Sequence, residues 1–329
     1  MRWLIAPTAL FVAALALTPG MARAQDAVIR IWGHPAMLGV AEHWAEAHAK
    51  THPGIRFEFA MKGSDSAIHV LVGGVADIAL MGRANDVVDD NGFSRPKQYP
   101  VTRIEIATGS LSVPGKSEAI AVLVHADNPL ASLTLDQLAR VLDCGDQAQP
   151  IARWGDLGLT GDWADAPIRV HSYDFSTRTG IWLQDRFMAK DRRMCWDHIT
   201  EYADQRRLDG TMAKAGDRAG QATRSDRYAL VIANAAQAHG GLKLLALSDG
   251  GPPILPSRAT VQARTYPLTR RAYAFIDRAP GKALAPHLRD FLRFVLSSEG
   301  QRLLDADAGY LPLDRATALS QLTLVESTR

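Results

Sequence analysis

Apolar and polar positions follow short, distinct rhythms along this chain, and the rhythm changes at glycine and proline. Val28-Ile29-Arg30-Ile31-Trp32 predicts a first strand. After Gly33-His34-Pro35 the spacing widens through Val40, His43, Trp44 and Ala47 to that of a helix, which ends at His52-Pro53-Gly54. Ile55 to Met61 predicts the next strand. A Gly63-Ser64-Asp65-Ser66 turn then opens a helix carrying Ile68, Leu71 and Val72, and Gly73-Gly74 stops it ahead of a strand from Asp77 to Met81. The order β-α-β-α-β is that of a parallel sheet with helices on its faces.

Further along, Thr134-Leu135-Asp136-Gln137 has capping-box spacing and predicts a helix through Leu138, Val141 and Leu142. The stretch from Trp154 to Pro167, rich in Gly, Trp and Asp, predicts a loop with Trp154 and Trp163 as packing anchors, followed by a strand at Ile168-Arg169-Val170-His171. Asp174 to Thr179 opens another helix, with Leu183 and Phe187 one turn apart. Leu288, Phe291, Leu292, Val295 and Leu296 form the clearest amphipathic helical stripe in the chain. Residues after about Leu313 are expected to be peripheral.

The first residues differ in kind. Met1-Arg2-Trp3 is a short basic start, Leu4 to Leu17 is apolar apart from Pro7 and Thr8, and Ala22-Arg23-Ala24 has the small-x-small pattern of a cleavage site. Residues 1–24 therefore read as a signal peptide cleaved after Ala24, and the mature chain is expected to be periplasmic. The apolar run is short for a membrane span, and no later stretch approaches the roughly 20 apolar residues a spanning helix needs.

Charge narrows the function classes. Removing Arg2 and Arg23 from the 37 basic residues leaves 35 against 35 acidic ones, because residues 1–24 contain no acid. A chain without net charge is a poor binder of nucleic acid or anionic membranes, while a local anion pocket stays open to it. The remaining length, in a chain with 47% apolar side chains, can bury a large core and usually divides into two lobes. In an oxidising compartment the two cysteines, Cys144 and Cys195, are expected to form a disulfide, with two unpaired buried thiols as the alternative. No G-x-S-x-G elbow, H-E-x-x-H pair or two-metal carboxylate/His set occurs, so no enzyme activity and no cofactor are expected. His43, His48 and His52, spaced five and four, do not share one helical face, and no metal site is expected there.

Several segments together resemble the phosphate-binding protein family of ABC transporters, within the type II periplasmic binding proteins. Lys62-Gly63-Ser64-Asp65-Ser66-Ala67-Ile68 followed by Gly74-Val75-Ala76-Asp77-Ile78-Ala79 is similar to the family's GSG-like turn, helix and G-x-x-D-I-A strand. Leu133-Thr134, Gln137-Leu138 and Trp154-Gly155-Asp156-Leu157 resemble its L-T-x-x-Q-L and W-x-D-L stretch. Tyr266-Pro267-Leu268-Thr269-Arg270, Phe291 to Ser297 and Gly309-Tyr310-Leu311-Pro312-Leu313 resemble its C-terminal region. The resemblance runs from about Val28 to Leu313.

It implies an α/β fold of two lobes, each a mixed sheet flanked by helices, with the ligand in the interlobe cleft. Residues 25–118 plus 267–329 would form lobe 1 and 119–266 lobe 2, joined by crossings near Ala119–His125 and Tyr266–Ala274. It also implies a monomer that captures phosphate or a similar oxyanion and docks on an ABC transporter permease. A sensor or interaction protein of the same fold, or a receptor for molybdate, tungstate, sulfate or an organophosphate, is the alternative.

An oxyanion in a cleft needs donors without bulk water, and helix N-termini supply them. Ser64, Asp65 and Ser66 open one candidate helix and Ser176, Thr177, Arg178 and Thr179 the other, where the family has D-x-S-G-T-R after Asp174. With the resemblance, ligand contact is favoured for Ser64 and Ser66 over simple N-capping, the alternative, and for Arg178 the alternative is a solvated surface position. His34 and Arg83 stand where the family has other residues and are candidate cationic donors or ordinary loop residues. Family members distinguish phosphate from sulfate by accepting the ligand's proton on a carboxylate, for which Asp65, Asp86 and Asp174 are candidates.

Overall fold

The computed structural model describes residues 27–145, 149–188, 192–306 and 309–327; residues 1–24, expected to be a signal peptide, lie outside them. Two five-stranded mixed sheets organise the chain. The first runs Ile55–Ala60, Ala27–Gly33, Ile78–Met81, Arg271–Ile276, Thr102–Thr108 from edge to edge. Its first three strands are parallel to one another, and Arg271–Ile276 is antiparallel to both of its neighbours. The second sheet runs Leu242–Leu244, Ile120–His125, Ala229–Asn234, Arg169–Tyr173, Ile199–Tyr202, and its last three strands are parallel. No helix among the described residues is long and apolar enough to cross a membrane.

Local sequence accounts for the elements. Ala27–Gly33 buries Ile29, Ile31 and Gly33 on one face at two-residue spacing, whereas the central strand Ile78–Met81 is buried on both faces. Thr134 and Gln137 form the capping box expected of them, each accepting from the other's backbone N–H, at 3.0 and 2.9 Å. Pro286–Leu296 turns Phe291, Leu292, Val295 and Leu296 into the first core, which Trp44 joins by donating its indole N–H to Gly300 O at 2.7 Å. Trp154 and Trp163 meet edge to face at 6.0 Å in the second core, anchoring their loop.

The two connections between the sheets lie against each other. Gly109 N donates to Arg270 O at 2.9 Å and Ile120 N to Leu268 O at 3.2 Å, while the Tyr266 hydroxyl donates to Ile120 O at 2.9 Å. Gly109 cannot carry a side chain, since a Cβ there would lie 2.0 Å from Ser117 O. The stretch expected as the first crossing is mostly strand Ile120–His125 of the second sheet, and Arg271 to Ala274 of the second crossing belongs to strand Arg271–Ile276. Ile120 to Val124 is a continuous apolar run that serves as a buried strand, and beyond the exposed Arg271 the second strand is largely buried as well.

Two expectations are corrected. The C-terminal segment is not peripheral: Arg315–Glu326 is a helix that buries Ala318 and Val325, and the Arg278 guanidinium donates to Leu324 O and Ser327 O, each at 2.7 Å. The expected disulfide is not formed, and Cys144 and Cys195 are free thiols. An antiparallel bridge pairs Asp143 with Met194, with Cys144 N bonded to Arg193 O and Cys195 N to Leu142 O. That register makes the cysteines diagonal neighbours, roughly 7–8 Å apart in such ladders with their Cβ atoms somewhat closer, wider than the roughly 3.8 Å Cβ separation of a disulfide. Burial, then a hydrogen bond with Cys144, pushes the Cys195 thiol up to about 12.

Candidate functional site

The walls of one cleft begin where parallel strands end. On the first sheet His34 follows Ala27–Gly33, Ser64 and Asp65 follow Ile55–Ala60, and Arg83 follows Ile78–Met81. From the second sheet come Tyr173, the last residue of its strand, then Thr177, Arg178 and Thr179, with Asp204 after Ile199–Tyr202 and Asn234 at the end of Ala229–Asn234. Open α/β sheets bind ligands beyond the carboxyl ends of their strands, because the following loops and helix N-termini converge there. Ser117, Glu118 and Arg270 from the crossings complete a cleft of about 520 Å³, a volume suited to a small-molecule ligand.

Most of the charge in the cleft is already paired. Arg83 donates to the buried Asp89 at 2.5 Å and lies 3.3 Å from Asp65 and 3.5 Å from Asp86. Arg178 donates its Nε–H to Asp65 at 3.0 Å and an Nη1–H to Asp86. Lys214 is bound to Asp204 at 2.7 Å, and the other Asp204 oxygen accepts from Ala215 N at the start of helix Ala215–Thr223. Arg270 is one exception. Among the described residues it faces no acid within ion-pair reach; its guanidinium lies over the Trp182 ring at 5.8 Å and 3.5 Å from Thr179 Oγ1.

Two neutral groups complete the polar wall. The Tyr173 hydroxyl is buried and has no hydrogen-bond partner among the described residues, and burial, then the nearby Glu118, pushes its ionisation far above the usual phenol range. Gly216 keeps helix Ala215–Thr223 close to it, since a Cβ there would stand 2.8 Å from that hydroxyl. His34 accepts from Ala36 N on Nδ1 at 3.2 Å, which leaves Nε2 to carry the proton of the neutral ring. Burial, then Lys214 and Arg270, holds its pKa below the usual imidazole range.

Residues 20–299 match a family model described as a PBP superfamily domain. The chain belongs to this superfamily. This PBP superfamily member is 27% identical over 291 residues to the phosphate-binding protein PstS of Pseudomonas aeruginosa, spanning 87% of this chain and 83% of that protein. Its fold is similar to that of PstS from Borrelia burgdorferi, with TM-score 0.60 at 16% identity over 88% of this chain and 100% of that one. It is also similar to an ABC-type phosphate transport receptor from Vibrio cholerae, with TM-score 0.55 at 17% identity over 86% and 100%.

In this PBP superfamily member the sequence-derived candidates separate. Ser64, Asp65, Thr177, Arg178, Thr179, His34 and Arg83 line the cleft. Ser66 and Ser176 do not. Ser66 accepts from Trp32 Nε1 at 2.9 Å, and Ser176 donates to the Asp174 carboxylate at 2.6 Å because that helix starts at Arg178, two residues later than the motif suggests. Thr177 is its N-cap, accepting from Gly180 N at 3.2 Å. His34 is a neutral donor, where a cation was expected. The carboxylates considered for proton acceptance are engaged too, Asp65 and Asp86 by arginines and Asp174 by Ser176. Glu118, which accepts only from Gly115 N at 3.1 Å and meets no cation within ion-pair reach among the described residues, is the carboxylate that sequence reasoning missed. Arg270 was visible as the last residue of the Tyr266–Arg270 motif, but nothing in the spacing marked it as the unpaired cation.

Proposed function

We propose that this chain is an exported, monomeric solute-binding protein that captures phosphate or a similar oxyanion between its lobes and delivers it to an ABC transporter permease. The observation that carries this reading is the buried, unpartnered Tyr173 hydroxyl on the cleft wall beside the start of helix Ala215–Thr223, with the acid-free Arg270 on the same cleft. A buried hydroxyl without a partner is costly unless a ligand completes it. A helix N-terminus and an unpaired guanidinium both favour negative charge. Thr179 and the His34 Nε2–H add neutral donors, and Glu118 is placed to accept a proton from a protonated oxyanion, which favours hydrogen phosphate over sulfate. The names of the relatives, a phosphate-binding protein and a phosphate transport receptor, point the same way.

Calorimetric titration of the mature protein with phosphate, sulfate, molybdate and tungstate tests the reading. Phosphate is expected to bind most tightly and sulfate weakly, and Glu118→Gln is expected to narrow that difference. Absence of binding by all four anions at millimolar concentration would overturn the transport-receptor reading in favour of a sensor or docking role for the same fold.

A further inference from the structure

A second cavity of about 410 Å³ opens behind the cleft. Gly82, Arg83 and Arg270 line both cavities, so the two meet at these residues. Most of the remaining wall comes from the segment around the second crossing and from the helix Arg178–Phe187, with Asp249 beside them, and it is rich in guanidinium groups: Arg186, Arg264 and Arg271 in addition to the two shared arginines.

The charge of this chamber is only partly compensated. Arg264 and Arg271 share one carboxylate, the buried Glu105, and Arg186 is paired with Asp249. Arg83, on the rim shared with the cleft, is bound to Asp89, and Arg270 has no acidic partner among the described residues, so Arg186, Arg264, Arg270 and Arg271 face two carboxylates, Asp249 and Glu105. Arg264 is also held with unusual firmness for an arginine. Its Nε and Nη2 both donate to Thr108 Oγ1 at 3.1 Å, and its backbone sits at φ 59, a left-handed conformation that persists in a non-glycine residue only where the surroundings fix it. Trp182, Tyr266 and Tyr273 supply aromatic surface, and Arg270 lies over the Trp182 ring. Inorganic phosphate in the cleft would leave this positive chamber unused.

We propose that the chamber is a second anion subsite and that the ligand is an anion with two charged groups joined in a chain, of which diphosphate is the simplest. One group is held in the cleft and the other reaches past Arg270 to Arg264, Arg271 and Arg186. This rests on the oxyanion reading of the cleft and adds the length and charge of the ligand to it. Condensed phosphates and phosphate esters with a second acidic group share this chemistry; esters with a neutral tail do not.

Calorimetry with orthophosphate, diphosphate, 3-phosphoglycerate and glycerol 3-phosphate separates these cases. Diphosphate is expected to bind at least about tenfold more tightly than orthophosphate, as one extra charge-assisted contact provides, and glycerol 3-phosphate is expected to gain nothing. Comparable gains for diphosphate and 3-phosphoglycerate assign the chamber to any second acid, and a gain for diphosphate alone assigns it to condensed phosphate. In the double variant Arg186→Gln/Arg271→Gln, which changes only the chamber, the gain is expected to vanish while orthophosphate affinity stays within about twofold, which also reports a folded cleft. Orthophosphate binding with no gain for either doubly acidic ligand, or a gain that survives the double substitution, overturns the second subsite and leaves the cleft reading intact. If none of the four ligands binds, the phosphate reading fails and this proposal with it.

Discussion

Arg178, which opens a helix beside the second sheet, donates to the carboxylate of Asp86, which caps helix Val87–Lys97 beside the first. The same guanidinium reaches Asp65, so one side chain ties the two halves together across the mouth of the cleft. Burial opposes ionisation of Asp86, but the Asp89 backbone N–H and the Arg83 and Arg178 guanidiniums outweigh it and hold its carboxyl below the usual range. Binding proteins of this architecture alternate between open and closed arrangements, and a tie that exists only in one shifts the balance toward it. Arg178→Ala is expected to enlarge the radius of gyration of the ligand-free protein in small-angle scattering and to weaken anion binding by about three- to tenfold through the lost closed population. Because the Asp86 carboxyl lies low, wild-type closure should persist as pH falls to the ordinary carboxylate range and fail only below it. An identical scattering curve for the variant and the wild type would show that Arg178 is no latch.

Tyr173→Phe separates ligand binding from folding. Removing a buried hydroxyl that has no protein partner takes away a desolvation cost, so the variant should be as stable as the wild type or slightly more so. If the hydroxyl completes its hydrogen bonding on the ligand, affinity should drop by about tenfold or more at the same time. Thermal melts with and without phosphate read both quantities from one preparation. Unchanged affinity in a stable variant would move the anion away from this strand end.

What could be read from the sequence depended on whether a signal was local. The β-α-β-α-β opening, the Thr134–Gln137 capping box and the Pro286–Leu296 helix depend on spacing within one element, and each is present in the structure. The cleft is assembled from strand ends far apart in the chain, and its second-sheet side depends on Ile199–Tyr202 and Ala229–Asn234. Ala229–Asn234 is fully buried and apolar up to its last residue, with no alternation to announce it, so Asn234 stayed unmarked, as did Asp204 just past Ile199–Tyr202 and Lys214 just ahead of helix Ala215–Thr223. Ser176 failed as a candidate for a related reason. Motif spacing fixed the order of the hydroxyls but not the residue at which the helix begins, and a two-residue shift turned Ser176 toward Asp174 and made Thr177 the cap. Which arginine stays unpaired is a property of tertiary neighbours alone. Arg83, Arg178 and Arg270 are equivalent as letters, and only the packing leaves Arg270 without an acid.

His48 sets the acid limit of the first lobe. Its ring is buried among Phe57, Phe291 and Phe294, stacks on His52 at 4.1 Å, and has no hydrogen-bond partner for either nitrogen among the described residues. Burial, then the neighbouring His52, lowers its pKa from 6.5 to about 4, with Asp290 opposing weakly. In the unfolded chain the same imidazole takes up its proton near its ordinary pKa, so between about 6.5 and about 4 the unfolded state binds more protons than the folded one. The neutral ring thus contributes its full stability above that window, and the contribution is lost as pH falls through it. His48→Phe keeps an aromatic ring in the cluster and removes the titration. Its melting temperature is expected to lie close to that of the wild type at neutral pH and above it at about pH 4.5, where the wild type should have fallen by several degrees. Parallel acid profiles for the two proteins would assign the acid sensitivity to other groups.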